Sequence, residues 1–327
     1  MTKNQKINIA LVCTGGGHFE QMTNLSDFYS RYNHFWITQR IKQTESQLKK
    51  DRMYYIKGAH FKKPWTYLYQ VVPVLKIFVR EKPTHVLSTG SGRTALIPFL
   101  LSRLFRIKFI YVDTFSRVRN HSQFGIFLLS MGHPIFTQWK DPQNKKAKYI
   151  GPLFQKVDPL SKNDHSNYIF VTVGTRREPF KRLIQAVEGL VKKGFIKERV
   201  IVQKGHTNCT SDCLDIFDFC TPERIEELIR SAKYVITQES AGIGTQCLKY
   251  ETKFLVMPRR YEYGEVPSKS DMNEDLHFKM EEMGYTKVVH TVSELEDAIK
   301  EIDHLKVGFA FDNQLAIKTL TRVMEGL

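Results

Sequence analysis

Short apolar runs alternate with helix-length amphipathic segments along the whole chain, and this alternation constrains the fold more than any other feature. Apolar runs at 7–13, 35–39, 85–88 and 109–112 read as strands, and the segments beginning near His18, Pro64 and Arg93 read as helices between them. A Gly-Pro step at 151–152 and a polar stretch at 161–167 then interrupt the pattern as a linker. It resumes with predicted strands at 168–173, 200–203, 234–237, 254–257 and 287–289, and predicted helices at 179–193, 222–231, 242–250, 273–283 and 293–303. Strands separated by helices argue for an α/β chain with mainly parallel sheets. Both halves open with a strand, a glycine-containing turn and a helix. Two open α/β domains therefore stand in series, each with its ligand crevice expected at the carboxyl ends of its strands. The boundaries fall at residues 1–160 and 166–311, with a terminal helix at 312–327. A length of 327 residues fits two domains, and 42% hydrophobic against 25% charged residues suffices to bury two cores.

The formal net charge is +15, from 49 basic and 34 acidic side chains. Such a surplus favours anionic partners: nucleic acid, phosphorylated metabolites or an acidic leaflet. No nucleic-acid-binding signature occurs, so nucleic acid is not an expected partner. The bases are dispersed in short clusters such as Lys62-Lys63, Arg176-Arg177 and Arg259-Arg260, each of which reads most plainly as a solvated face. Five cysteines cannot all pair with one another, and Cys209, Cys213 and Cys220 near His206 lack the spacing of a zinc site. Reduced thiols in a cytoplasmic protein are the expectation. Residues 1–6 are polar, and no run approaches the roughly 18–20 apolar residues of a spanning helix, so neither a leader nor a crossing is expected.

The first strand runs into Thr14-Gly15-Gly16-Gly17-His18 and then a helix. Such glycines let a ligand approach the backbone closely, and a helix start offers free amides to negative charge. Glu20 stands where a dinucleotide fingerprint needs its third glycine, and no Gly-Lys-Ser/Thr follows, so both common nucleotide motifs fail. His18 is then either a base presented at a strand's end or a capping or structural histidine. The second half opens with a strand into Gly174-Thr175-Arg176-Arg177, and Gln203-Lys204-Gly205 ends another. Thr237-Gln238-Glu239-Ser240-Ala241-Gly242-Ile243-Gly244-Thr245 ends a third and starts a helix. Small residues and hydroxyls at a helix start form a diphosphate cradle that needs no metal.

These motifs occur in order with Ser88-Thr89-Gly90-Ser91-Gly92, Tyr111-Val112-Asp113-Thr114-Phe115-Ser116-Arg117, Gln138-Trp139 and Arg182-Leu183-Ile184. Together they resemble the bipartite UDP-sugar transferases, of the glycosyltransferase family 28 kind, whose familiar case is the eukaryotic dolichol-linked GlcNAc transferase pair. Bacterial capsule and exopolysaccharide transferases share the pattern, and a more distant similarity extends to the peptidoglycan transferase that glycosylates lipid I. The two subunits are usually separate chains; here the sequence resembles their fusion, acceptor half first, over nearly its whole length. The resemblance implies a GT-B fold, two Rossmann-like domains facing across a cleft, with the terminal helix crossing back to the first. It implies UDP held through Gly174, Thr175, Gln203, Gly205, Ser240, Gly242, Gly244 and Thr245, with Ala241 beside them. The first domain would hold the acceptor at Gly16, Gly17, Gly90, Gly92 and Arg117. Relatives often read the ribose with a glutamate three residues past the Gly-Thr pair, where this chain has Leu248, so that contact passes to Gln246 or backbone. Their donor-sugar His-Gln pair has its nearest match in Leu276-His277, which makes His277 a candidate contact to a sugar hydroxyl.

Relatives invert the anomeric centre, which implies direct displacement with one base on the acceptor hydroxyl while UDP leaves. A histidine suits that task, and His18 is the choice, with Asp113 or Glu20 as orienting carboxylates. No Asp-x-Asp triplet occurs, so the helix start at 240–245, aided by Arg176 or Lys204, is expected to take the leaving diphosphate, with no metal or other cofactor. The expected donor carries glucuronate, galactose, GlcNAc or glucose. Arg176-Arg177 suits a uronate carboxylate, or serves only to attract diphosphate or as a solvated pair. The expected acceptor is a polyprenyl-diphosphate-linked saccharide in polysaccharide or glycan biosynthesis. Phe61, Lys62, Lys63, Trp65, Tyr67 and Leu68 mix aromatics with bases, as a segment at an anionic headgroup boundary does, and Pro73 would kink the helix leading away from them. Residues 124–129 are a second candidate, and both read equally as core helices. The expected location is cytoplasmic, peripheral on the inner face of a membrane, with a homo-oligomer open. The alternative is a non-catalytic nucleotide-sugar-binding scaffold or a partner subunit of another transferase.

Overall fold

A computed structural model of the protein describes residues 7–41, 44–45, 51–60, 63–140, 144–155, 167–269 and 275–326. Its contacts divide the chain into two units, Met1–Lys156 with Phe311–Leu327, and Val157–Ala310.

The first unit is built on seven parallel strands: β1 (Asn8–Val12), β2 (Asn33–Thr38), β3 (Met53–Tyr55), β4 (His85–Thr89), β5 (Lys108–Val112), β6 (Ile135–Thr137) and β7 (Ala147–Tyr149). Their order is β3-β2-β1-β4-β5-β6-β7. The strand runs are continuously apolar because helices cover both faces of a parallel sheet. Successive residues of β1 alternate between the two cores: Ile9 and Leu11 face one, Ala10 and Val12 the other. Helices Gly17–Thr23, Ser26–Tyr29 and Gln314–Glu325 cover the first face through Phe19, Met22, Phe28, Ile317 and Leu320. The terminal helix is held further by Asn313 Nδ2, which donates to the Asn24 carbonyl at 2.7 Å, and by Lys108, which donates to the Val323 carbonyl. Helices Leu68–Glu81, Gly92–Leu104 and Gln123–Ser130 cover the other face through Val74, Phe78, Ala95, Phe99, Phe124 and Leu128. Pro73 lies inside Leu68–Glu81, on its exposed side.

The second unit has six parallel strands: β8 (Tyr168–Thr172), β9 (Arg199–Gln203), β10 (Asp215–Phe217), β11 (Tyr234–Thr237), β12 (Phe254–Val256) and β13 (Thr286–Val288). Their order is β10-β9-β8-β11-β12-β13. Helices Lys181–Lys192, Pro222–Ser231, Ala241–Lys249, Asp275–Glu282 and Val292–Lys300 alternate with them. In each unit the first strand sits between its second and fourth, so the winding reverses there. That reversal is where an open α/β sheet leaves a crevice at the strands' carboxyl ends. Among the described residues no helix is long and apolar enough to cross a membrane.

Candidate functional site

In the first unit the loops leaving β1, β4, β5 and β6 emerge at one sheet edge and carry the candidate residues. His18 stands at the reversal between β1 and β4. Thr89 Oγ1 donates to its carbonyl at 2.8 Å, and its ring rests against Gly90, where a Cβ would lie 1.8 Å from Nδ1. Gly90 also has φ +86°, so glycine is required there both by conformation and by space. Burial pushes the His18 pKa down to about 4, the Asp113 charge opposing it. The imidazole is therefore neutral at pH 7, the form a base requires. Its Nδ1 is buried without a hydrogen-bond partner.

Neither expected orienting carboxylate bonds His18. Asp113 is committed to its own loop: Thr114 N–H (2.9 Å) and Tyr111 OH (3.2 Å) donate to Oδ1, and Ser122 N–H (3.0 Å) donates to Oδ2. His121 Nδ1 lies 3.4 Å from Oδ2. Burial pushes this carboxyl up, but His121 and the loop amides outweigh it and hold the pKa below the usual range. Glu20 lies two positions beyond His18 on the same helix, and such neighbours point to different faces. The side chains that do join these loops are two glutamines. Gln21 Oε1 accepts from Phe115 N–H at 3.1 Å and from Gln138 Nε2 at 2.5 Å, and Gln138 Nε2 also donates to the Asp113 carbonyl at 2.9 Å. Gly16 and Gly17 are open to solvent, whereas Gly92 packs against the Phe124 ring. The loops after β5 and β6 enclose a cavity of about 630 Å³ whose lining includes Arg117, Arg119, His121, Trp139 and Lys140.

The proposed boundary segment divides. Lys63, Trp65 and Leu68 are exposed, but Tyr67 is buried in the core of the three-helix face, so it does not reach a boundary. Phe61 and Lys62 lie outside the described residues. In the second candidate segment, Phe124 and Leu128 are core while Ile126 and Phe127 face outward.

In the second unit the turns after β8, β9 and β11 meet. A Cβ on Gly174 would lie 2.0 Å from Gln238 Nε2, and one on Gly205 would lie 2.5 Å from the Gly174 carbonyl. These two glycines thus let three loops close on one another. Gln203 supports the same junction: Thr172 Oγ1 donates to its Oε1 at 2.6 Å and accepts from Gly174 N–H at 3.1 Å. Gln203 Oε1 is thereby engaged in bracing the ends of β8 and β9. Ser240 caps helix Ala241–Lys249, its Oγ accepting from Ile243 N–H at 3.4 Å. Thr175 and Gly242 are exposed, Arg176, Ala241 and Gln246 are half-buried, and Gly244 and Thr245 are buried. Lys204 pairs with Asp218 at 3.2 Å. His277, only 1% exposed, lies under the helix, with Nε2 3.2 Å from where a Gly244 Cβ would stand. Burial pushes its pKa down to about 4, partly offset by the Ser240 backbone. It supports the helix from beneath and offers no surface to a sugar hydroxyl.

Three residues that hold this edge, Arg259, Glu265 and Glu239, were given no such role by the sequence. Arg259, 1% exposed, is the opposite of a solvated base. Its guanidinium donates to the carbonyls of Glu178 (2.7 Å), Glu265 (3.0 Å) and Val173 (2.8 Å) and to Gln238 Oε1, and it lies 4.8 Å over the Phe180 ring. Glu265 in turn receives Arg182 through Nε (3.0 Å) and Nη2 (2.9 Å). Glu239 accepts the Arg259 N–H at 2.7 Å through Oε2, while its Oε1 is buried without a partner. Burial raises its pKa against the opposing Arg259 amide and the nearby arginines. The available signal was position: Arg259 stands three residues past β12, at the carboxyl ends of the strands. Glu188, Asp212 and Cys213 group within 4.8 Å, but Lys192 already pairs with Glu188 at 2.8 Å, and no metal role is assigned to them.

No family model and no curated relative matches the sequence. Solved structures do. MurG of Acinetobacter baumannii aligns over 98% of this chain and 97% of its own, with TM-score 0.63 and 14% identity. The UDP-GlcNAc 2-epimerase of Methanocaldococcus jannaschii aligns over 98% and 100%, with TM-score 0.69 and 11% identity. The glycotransferase of kitacinnamycin aligns over 98% and 95%, with TM-score 0.62 and 12% identity. At such identities the likeness is one of fold: two parallel-sheet α/β units of the GT-B type.

Proposed function

We propose that this chain is an inverting glycosyltransferase that takes a sugar from a UDP-sugar held by the second unit and places it on a lipid-linked acceptor held by the first. The observation that carries the reading is the edge at β8 and β11. A capped helix start lies beside the glycine turns at Gly174 and Gly205, and near it Glu239 Oε1 and Gln246 Oε1 are buried without donors. An unpaired buried acceptor costs about 1–3 kcal/mol, which a ligand hydroxyl or N–H offsets. The helix amides and Arg176 receive the diphosphate as its charge develops. Neutral His18 takes the proton from the acceptor hydroxyl while that oxygen displaces UDP at the anomeric carbon. The names of the solved neighbours, a UDP-GlcNAc 2-epimerase and a glycotransferase among them, support nucleotide-sugar chemistry.

A membrane surface is part of the proposal. The three helices over one face of the first sheet and the residues flanking them expose Trp65, Leu68, Tyr69, Val72 and Val79, then Leu100, Leu104 and Phe105, then Ile126, Phe127 and Met131. Exposed Lys63, Lys76, Arg80, Arg103 and Arg106 accompany them. Apolar side chains with bases fit the inner, anionic leaflet, where a polyprenyl acceptor resides.

Epimerisation of a UDP-sugar is the second reading, favoured by the higher TM-score of the archaeal epimerase. UDP release is measured from UDP-GlcNAc, UDP-glucose, UDP-galactose and UDP-glucuronate, with and without a polyprenyl-diphosphate-linked monosaccharide. Acceptor-dependent release supports transfer. A changed nucleotide sugar without acceptor supports epimerisation, and neither result leaves a binding scaffold.

A further inference from the structure

We propose that Gln21 is the positioning residue for His18, with Gln138 as its brace. This deepens the transferase reading and rests on it for the task of His18 as a base, but not for how the ring is held. A base must be fixed in place, and His18 is not fixed in the usual way. Its Nδ1 is buried without a hydrogen-bond partner, so no carboxylate or carbonyl orients the ring through that atom. Its helix, Gly17–Thr23, is seven residues long, follows a run of glycines and has no side-chain cap. Glycines leave backbone freedom that other contacts must remove. The ring is therefore placed by its backbone, which two side chains hold. Thr89 Oγ1 donates to the His18 carbonyl at 2.8 Å, and Gln21 Nε2 donates to the Gly17 carbonyl at 3.1 Å. The Gln21 amide is anchored beyond its own helix. Nε2 also donates to Thr114 Oγ1 at 3.3 Å, while Oε1 accepts from Phe115 N–H at 3.1 Å and Gln138 Nε2 at 2.5 Å. Gln21 thus makes all four hydrogen bonds open to a primary amide, which leaves none for a ligand. Gln138 is fixed in turn, Nε2 donating to the Asp113 carbonyl and Oε1 accepting from Leu153 N–H, both at 2.9 Å. Both glutamines are at most 5% exposed, so water does not compete for these bonds. A staple between loops alone would not need to reach Gly17, the residue directly before the base.

NMR of the full chain labelled at histidine, together with turnover and UDP binding, tests this. Gln21→Met keeps the length of the side chain and none of its hydrogen bonds. Gln21→Glu is the second variant: it still accepts from Phe115 and Gln138, and it regains a donor for Gly17 only when protonated. Thermal unfolding shows that each variant is folded before it is compared. The Cε1–H resonance of His18, assigned by its loss in His18→Ala, is expected to shift or split in Gln21→Met. The resonance of His206, exposed in the second unit, should stay in place. In Gln21→Glu the His18 resonance should return toward its wild-type position as pH is lowered. Turnover of Gln21→Met is expected to fall about 10²-fold, the scale of a ~1 Å misplacement, with UDP affinity and donor KM unchanged. His18→Ala/Gln21→Met should be no slower than His18→Ala, because Gln21 acts through His18. An unmoved His18 resonance in both folded variants, or losses that add in the double variant, overturns the assignment. A moved resonance in a chain whose wild type shows no acceptor-dependent UDP release sinks the transferase reading alone. Acceptor-dependent release by the wild type with an unmoved resonance in the folded variants sinks this assignment alone.

Discussion

His18 and Gly90 form one device, because the ring occupies the space a Cβ would need. His18→Ala is expected to keep UDP binding and lose about 10²–10⁴ in turnover, the usual general-base contribution. Near-normal turnover would remove the role. Gly90→Ala adds a methyl at φ +86° into the imidazole, so it is expected to lose turnover comparably and also cost stability of order 1–3 kcal/mol. Denaturant unfolding and turnover on the same sample check both effects. Two histidines also set an acid limit. His18 and His277 stay neutral in the fold down to about pH 4, whereas unfolded they accept a proton near 6.5. Between those values the unfolded chain binds more protons, so stability, complete above pH 6.5, is lost as pH falls toward 4. His277→Gln is expected to flatten the fall in melting temperature between pH 7 and 5. An unchanged slope would show that His277 titrates normally.

Arg259 shows why side-chain contacts organise elements that propensity only outlines. It ties the end of β8, the loop at Glu178 and the loop from Arg259 to Glu265 through four acceptors. Arg259→Met leaves those carbonyls unpaired in the interior, with an expected loss of about 3–5 kcal/mol in the second unit. UDP affinity should fall with it, since Val173 immediately precedes the Gly174 turn. Melting of the variant at the wild-type temperature would discard this account. The long strands and amphipathic helices were legible because burial writes a period into the sequence. Four three-residue strands, β3, β6, β7 and β10, were not, whereas the equally short β12 and β13 were read from the apolar runs at 254–257 and 287–289. The glycine turns were legible as turns, but their purpose was not. Gly174 and Gly205 are needed by neighbouring loops that only the fold brings together. For the same reason Arg259-Arg260 looked like a solvated pair. Nothing local in the sequence says that Phe180 and three carbonyls converge on one guanidinium.

At the scale of the molecule, the excess of basic charge and the outward apolar residues bear on one question, which is where the proposed transferase would meet a lipid-linked acceptor. Helix Leu68–Glu81 and the turn before it expose Trp65, Leu68, Tyr69 and Val72, at spacings that share one helical face, while Lys76 and Arg80 follow on the exposed side. Apolar insertion and charge attraction should separate experimentally. Insertion persists in salt, whereas attraction to anionic lipid weakens as the screening length falls to about 3 Å at 1 M salt. Flotation with vesicles of phosphatidylcholine alone, and with added phosphatidylglycerol, is therefore expected to show stronger recovery on the anionic vesicles and partial loss at high salt. Trp65→Ala/Leu68→Ala should reduce recovery on both vesicle types. Lys76→Glu/Arg80→Glu should reduce it only on the anionic ones. All four side chains are exposed, so neither variant should disturb the core they stand over. If both variants float as wild type does, this face is not the one that meets the bilayer, and the acceptor must reach the first unit from another side.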